Sequence, residues 1–140
     1  MRASELTKFP TVLYHATLAV YKKSIRSRGL VPGGDCQMFS WCDPQYVYFA
    51  DNQGLADSFV DEGVIEVSPE KEQEVLDLFD HGKLMVTVDV SKLDTSRLTY
   101  DPNLKNWEYD RHRSYAYQGV VPVAAIKSIK KYHPYDIGNF

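Results

Sequence analysis

The sequence predicts an α+β domain built around a mostly antiparallel sheet. Helix-like segments cluster in the first half of the 140-residue chain, and strand-like segments cluster in the second half. This order differs from the regular strand–helix–strand alternation that is typical of a parallel sheet. Hydrophobic residues make up 44% of the chain and charged residues 25%, as in ordinary globular proteins. Because this length suits one hydrophobic core, we predict a single domain over residues 1–140, with residues 1–10 as a loose lead-in.

The bulk properties argue against several classes of protein. The formal net charge of −3 is mild and argues against tight, non-specific binding to duplex nucleic acid, although a local basic patch stays open. The N-terminus "MRASELTKFP" has no signal-peptide core, and no apolar run approaches the ~20 residues that span a bilayer. Cys36 and Cys42 match no metal-binding spacing, so we favour free thiols over a local disulfide. We therefore expect a cytoplasmic protein with no membrane segment and no bound metal.

The first elements carry the clearest local signals. "VLYH" (12–15) has the composition of a short strand, and Thr17 is a suitable N-cap for a helix over "LAVYKKSIRSR". Three apolar residues share one face of that helix by spacing, namely Leu18, Tyr21 and Ile25. Gly29 stands where a helix C-cap favours a positive φ, and Leu30 follows as its apolar partner. These signals predict a strand followed directly by an amphipathic helix.

The rest of the chain divides into shorter segments. Residues 31–45 have no period and predict a loop, which at this length is usually functional or mobile. The predicted elements that follow are a strand over 46–50, helices over 51–61 and 68–82, strands over 84–90 and 113–121, and an edge strand over 125–133. Between the last three strands we expect turns and one short extended piece.

Two of the predicted strands end on a chemically useful side chain. His15 closes the run "VLYH", and Tyr48 stands in "YVYFA". Either residue alone is more often structural than functional. The order of the motifs "LYHAT", "RGL", "VYFA" and "LADSF", however, resembles the ADP-ribosyltransferase superfamily over residues 12 to about 130.

The resemblance implies a split antiparallel sheet with an NAD cleft between its halves. His15 would bind the nicotinamide ribose, and Tyr48 would stack on the cationic nicotinamide ring, which suits an aromatic face. The implied NAD contacts come from two short stretches: Tyr14, His15, Ala16 and Thr17 on the first strand, and Tyr48, Phe49 and Ala50 on the later one. We expect the side chains of His15 and Tyr48 to open into the same cleft.

The third catalytic group has three candidates. Transferase members of the superfamily carry a glutamate on a late strand, and "SYAYQG" places Ser114 at that position. Strand alternation puts Gln118 on the same face as Ser114, with Tyr115 and Tyr117 on the other. The segment "DVSKLDTSRLTYDPNLKN" is similar to one in rifampin ADP-ribosyltransferases and would instead nominate Asp101, although "YDPN" is also ordinary turn chemistry.

The resemblance implies NAD-dependent ADP-ribosyl transfer, with NAD as substrate and a protein, nucleic acid or small molecule as acceptor. Two alternatives stay open at this stage. "DRHRSYAYQGVVP" is similar to the late segment of RNA 2′-phosphotransferases, in which Arg111, His112 and Arg113 would contact phosphate. The missing late glutamate also fits a catalytically inactive nucleotide-binding or inhibitory module of the same fold. The small size suits a toxin, a phage-encoded or bacterial modifier, or a self-standing enzyme.

Overall fold

A computed structural model describes residues 9–32, 45–66, 80–100 and 114–133, together with residues 73, 74, 77 and 78. In these parts the chain is α+β, with an antiparallel six-stranded sheet and, in the first half, two α-helices. The predicted fold class is confirmed. The strands are β1 (Val12–Leu18), β2 (Tyr46–Ala50), β3 (Lys83–Asp89), β4 (Leu98–Tyr100), β5 (Ser114–Gln118) and β6 (Ile126–Tyr132), and the helices are α1 (Lys22–Arg28) and α2 (Gln53–Glu66).

The strand order in the sheet is β4-β5-β2-β1-β3-β6, and every neighbouring pair is antiparallel. β1 pairs with β3 along its full length, and β2 pairs with β5 along its full length. β1 and β2 share a single registered pair, Tyr14 with Ala50. The sheet therefore consists of two fully paired halves that meet at one narrow point, which we call the β1–β2 junction.

Apolar side chains cover both faces of the sheet. The main core lies on the face that α1 covers through the buried Ile25. The sheet contributes to this core Leu13, Val47, Phe49, Leu84, Val86, Val88, Tyr115 and Tyr117. The other face carries a smaller cluster that consists of Ala50, Ala56 of α2, Met85 and Tyr132. Each fully buried large apolar side chain stabilises the fold by roughly 1.5–3 kcal/mol.

The predicted helix start at Thr17 is wrong. β1 continues to Leu18, and Thr17 pairs with Leu84 of β3, its side chain buried. A 3-10 turn over Ala19–Tyr21 follows, and α1 begins only at Lys22. The seven-residue ladder with β3 outweighs a local capping signal, because a cap contributes only about 1 kcal/mol.

The predicted end of this helix is confirmed. Gly29 has a φ of 79°, and its N–H donates to the carbonyl of Ile25 at 2.8 Å. Leu30 follows it and is buried in the main core. A side chain at Gly29 would in addition collide with the carbonyl of Val121, so two separate constraints require glycine there.

Most of the later elements lie close to their predicted bounds. β2 spans residues 46–50 as expected, and β6 lies at the sheet edge as expected. α2 is longer than predicted and starts after Asn52, whose Oδ1 accepts the N–H of Leu55 at 2.8 Å. Within the predicted 68–82 helix, the described residues 73, 74, 77, 78 and 80 are helical. Most of the predicted 31–45 loop, including both cysteines, lies outside the described residues.

A buried ion pair fixes α2 to the sheet. Nζ of Lys83 donates to Oδ1 of Asp57 at 2.7 Å, and the hydroxyl of Tyr132 donates to the same oxygen. Lys83 is 0% exposed, and its Nζ lies 5.6 Å from the centre of the Tyr132 ring. This cluster joins α2, β3 and β6, and no local pattern in the sequence predicts it. Among the described residues, no helix is long and apolar enough to cross a membrane.

Burial also changes the chemistry of Tyr115, which lies in the main core. Burial, with smaller contributions from Tyr100 and Asp51, raises the pKa of Tyr115 to about 12. In the unfolded chain this phenol ionises near its usual value of about 10. Between these values the unfolded state loses the proton while the folded state keeps it, so the folded state becomes less stable as pH rises.

We therefore expect the free energy of unfolding to fall by up to about 2–3 kcal/mol between pH ~10 and ~12 because of Tyr115. Urea denaturation of the wild type and of Tyr115→Phe across this range measures the effect. The variant should lose the corresponding part of the alkaline decline. An identical decline in both proteins would contradict the assignment.

Candidate functional site

The β1–β2 junction holds His15 in a defined orientation. Nδ1 of His15 lies 2.7 Å from the backbone carbonyl oxygen of Tyr48. Since a carbonyl can only accept, Nδ1 of His15 carries a proton and donates it to this bond. The side chain thus links the two halves of the sheet just beyond the Tyr14–Ala50 pair.

An aromatic contact fixes the His15 ring further. The ring packs edge-to-face against Phe49, with centroids 5.7 Å apart and planes at 63°. Phe49 is fully buried, whereas His15 is only half-buried. The imidazole is therefore held from one side by the core and from the end by a backbone carbonyl. Such a ring is pre-oriented for a ligand, which saves the free energy of ordering it on binding.

Tyr48 is half-buried and lies in the middle of β2. Its neighbour on β5 is the buried Ala116. The ring of Tyr46 lies 6.3 Å from the ring of Tyr48, because residues two apart on a strand share a face. The junction thus has an aromatic edge on the β2 side.

The two predicted site residues are neighbours, but they do not share a face of the sheet. Strand alternation places His15 on the face of Leu13 and the main core, and Tyr48 on the face of Ala50 and α2. The expectation that the side chains of His15 and Tyr48 open into the same cleft is therefore wrong. The register pairs Tyr14 with Ala50, which sets His15 opposite Phe49 instead of opposite Tyr48.

The seven predicted NAD contacts differ in accessibility. Three of them are buried, namely Thr17, Phe49 and Ala50. The other four are half-buried, namely Tyr14, His15, Ala16 and Tyr48. The side chains of the first group support the site through packing, whereas those of the second group can reach a ligand.

Two of the three candidates for the third catalytic group, Ser114 and Gln118, lie at opposite ends of β5. Ser114 pairs with Ala50 and is 0% exposed, and its Oγ has no hydrogen-bond partner among the described residues. Gln118 pairs with Tyr46 and is exposed, and its Nε2 donates to Oε1 of Gln45 at 3.3 Å. Asp101 lies outside the described residues, as do Arg111, His112 and Arg113.

These positions favour Gln118 over Ser114 as a group that meets a ligand. Both lie two residues from Ala116, the direct neighbour of Tyr48, and so about 7–8 Å from Tyr48 along a diagonal. Gln118, however, lies at the end of the sheet where β1 and β2 are no longer registered, and its amide is open to solvent. The buried hydroxyl of Ser114 lies at the other end of β5, next to Ala50, where β1 and β2 pair.

Two further aromatic residues were not among the predicted site residues. Tyr46 lies beside Tyr48, and the period of two in "YVY" could have indicated it. Phe59 of α2 is partly buried against the same small cluster as Tyr14 and Ala16. Its helical spacing identified it as a core residue, and the structure places it on the face of the sheet to which Tyr48 belongs.

No protein-family model matches the chain, and no curated protein matches its sequence. Among the described residues, no group of three or more His, Cys, Asp and Glu side chains is arranged to hold a metal ion. The residues of the β1–β2 junction therefore carry the functional inference.

Proposed function

We propose that this protein binds NAD at the β1–β2 junction and transfers its ADP-ribosyl group to an acceptor. The observation that carries the proposal is the imidazole of His15, which the bond from Nδ1 to the Tyr48 carbonyl fixes at the β1–β2 junction. An imidazole can hydrogen-bond a ribose hydroxyl, and a tyrosine ring suits the cationic nicotinamide ring. The motif order that resembles ADP-ribosyltransferases supports the same reading.

The reaction needs one bond to break and one to form at the same carbon. The bond between C1′ of the ribose and the nicotinamide nitrogen breaks, and nicotinamide leaves with the electron pair. A nucleophilic atom of the acceptor bonds to C1′ and releases its proton. His15 would form a hydrogen bond with a ribose hydroxyl, and Tyr48 would stack on nicotinamide. Both contacts orient the sugar, and orientation is a large part of the catalytic effect.

Gln118 is the residue we propose to complete the site. Its amide oxygen would stabilise the positive charge that develops on the ribose, although less strongly than a carboxylate. We expect Gln118→Ala to lower the rate of nicotinamide release roughly 10-fold, which corresponds to about 1.4 kcal/mol. Ser114→Ala should leave the rate unchanged and stabilise the fold by roughly 1 kcal/mol, because a buried hydroxyl without a partner is costly. A rate that depends on Ser114 and not on Gln118 would contradict this assignment.

A binding module without catalysis is a second candidate. The specific observation in its favour is that the late-strand position is filled by a fully buried serine, whose hydroxyl cannot meet a ligand in this conformation. In that case the junction would bind NAD or a related nucleotide and leave the glycosidic bond intact. The RNA 2′-phosphotransferase alternative depends on Arg111, His112 and Arg113, which the structure does not describe.

One assay separates these functions. The purified protein is incubated with NAD, and released nicotinamide is followed with and without cell lysate or 2′-phosphorylated RNA. Release that requires lysate supports ADP-ribosyl transfer in the cytoplasm to a cellular acceptor, and release that requires the phosphorylated RNA supports the phosphotransferase. Thermal stabilisation by NAD without release supports the binding module. Neither release nor stabilisation would overturn the proposal of an NAD site.

A further inference from the structure

α1 concentrates positive charge in a chain that is negative overall. Four of its seven residues are basic, namely Lys22, Lys23, Arg26 and Arg28, and none is acidic. The whole chain carries a formal net charge of −3. The basic residues of α1 therefore form a local patch that the overall composition does not reveal.

Helix stability does not explain this arrangement. Lys22 and Lys23 occupy the first turn, where the helix dipole disfavours cations by about 0.3–1 kcal/mol each. Lys22 and Arg26 are four residues apart, and like charges at that spacing repel each other on a helix surface. The C-terminal Arg28 is different, because it suits the dipole and donates to the hydroxyl of Ser24 at 2.7 Å. Lys22 and Lys23 therefore oppose the stability of the helix that carries them, whereas Arg26 lies in the last turn, as Arg28 does.

Three of the four cations line one concavity. Ile25 directs one side of α1 into the core, Lys23 and Arg26 are exposed, and Lys22 is half-buried. Lys22, Lys23 and Arg26 line an open concavity of about 550 Å³, together with Ser27 and the apolar Val20, which is 45% exposed. Within the described parts of the chain, no acidic side chain forms an ion pair with any of the three. We call this surface the α1 basic face.

We propose that the α1 basic face binds the phosphate backbone of single-stranded nucleic acid. Three uncompensated cations around one concavity complement a row of phosphates, and their charge is the term that dominates such binding. The helix rise of 1.5 Å per residue places Lys22 and Arg26 about 6 Å apart along α1, and the exposed Val20 lines the same concavity. A duplex would extend past this short helix over the rest of the surface, whose net charge is negative.

This inference is independent of the proposed NAD chemistry. A protein that releases no nicotinamide could still carry the α1 basic face, and an NAD enzyme could lack it. The test therefore measures nucleic-acid binding alone, by fluorescence anisotropy of a labelled single-stranded oligouridylate at several salt concentrations. A duplex of the same length serves as a second probe.

The chain offers a matched control for the test variant. Lys22→Glu/Lys23→Glu removes an adjacent pair of cations from α1, and Lys130→Glu/Lys131→Glu removes an adjacent exposed pair from β6. Each double variant lowers the net charge from −3 to −7, so bulk electrostatics change equally. The α1 variant also places acidic residues in the first turn of the helix, where they are favourable, so a loss of folding is not expected to mimic a loss of binding.

The proposal predicts that only the α1 variant loses affinity. The logarithm of the binding constant falls linearly with the logarithm of the salt concentration, with a slope of about 0.7 for each phosphate contact on a single strand. Because the α1 variant loses two such contacts, the magnitude of its slope should be smaller by about 1.4. Between about 50 and 200 mM salt, the wild type should therefore lose roughly sevenfold more affinity than the α1 variant. Arg26→Gln should reduce the slope by about half as much. Equal losses in both double variants, tighter binding of the duplex, or no binding by the wild type would each overturn the proposal.

Discussion

Replacing Asp57 by alanine is expected to destabilise the protein by about 3–5 kcal/mol, the largest effect we predict for any single substitution. The substitution leaves the ammonium group of Lys83, which is 0% exposed, buried without its carboxylate. It also removes the acceptor of the Tyr132 hydroxyl. Because small domains are stable by only about 5–15 kcal/mol, urea denaturation should show a strongly reduced midpoint or a largely unfolded protein.

A double variant separates this explanation from a simple loss of packing. In Asp57→Leu/Lys83→Met both charges are replaced by apolar groups, and stability should return to within about 1–2 kcal/mol of the wild type. The exposed pair Arg97–Asp94 gives the opposite reference, since Arg97→Ala should cost less than about 1 kcal/mol. If the double variant is as unstable as Asp57→Ala, the buried charge is not the cause.

His15→Ala is expected to reduce nicotinamide release from NAD by roughly 10- to 100-fold, the value of one substrate hydrogen bond of about 1.5–3 kcal/mol. The substitution removes Nε2 and also the bond from Nδ1 to the Tyr48 carbonyl. Loss of the second bond should lower the stability of the fold by only about 1 kcal/mol. Rates and urea midpoints measured on the same samples separate the two effects.

Two conservative variants sharpen this prediction. His15→Asn keeps a donor near the position of Nδ1 and removes Nε2, so it should restore the urea midpoint and leave the rate low. Tyr48→Phe keeps the aromatic face and should remain active, whereas Tyr48→Ala should lose about as much activity as His15→Ala. Activity that follows stability across these variants would mean that His15 and Tyr48 are structural residues.

Local signals in the sequence predicted those elements that short-range geometry determines. Gly29 is an example, because a positive φ at a helix end and a buried apolar residue after it are recorded within a few residues. Thr17 shows the limit of such signals. Its capping pattern is as good locally, but the ladder that β1 forms with residues 83–89, far along the chain, keeps it extended.

Long-range pairs explain what the sequence could not provide at the site. The strands that carry His15 and Tyr48 were predicted to lie in one sheet, and they do. The face on which each side chain lies depends on the register, and a shift of one residue exchanges the faces. The single Tyr14–Ala50 pair sets that register, and no local pattern records it. The Asp57–Lys83 pair was missed for the same reason, since its members are 26 residues apart.

The most direct test of an NAD site at the β1–β2 junction is an NMR titration of the ¹⁵N-labelled protein with NAD. The amide signals of His15, Ala16 and Tyr48 should shift together and saturate, and the same signals should stay unchanged in His15→Ala/Tyr48→Ala. Shifts that cluster on the α1 basic face instead, or no shifts at millimolar NAD, would contradict the account.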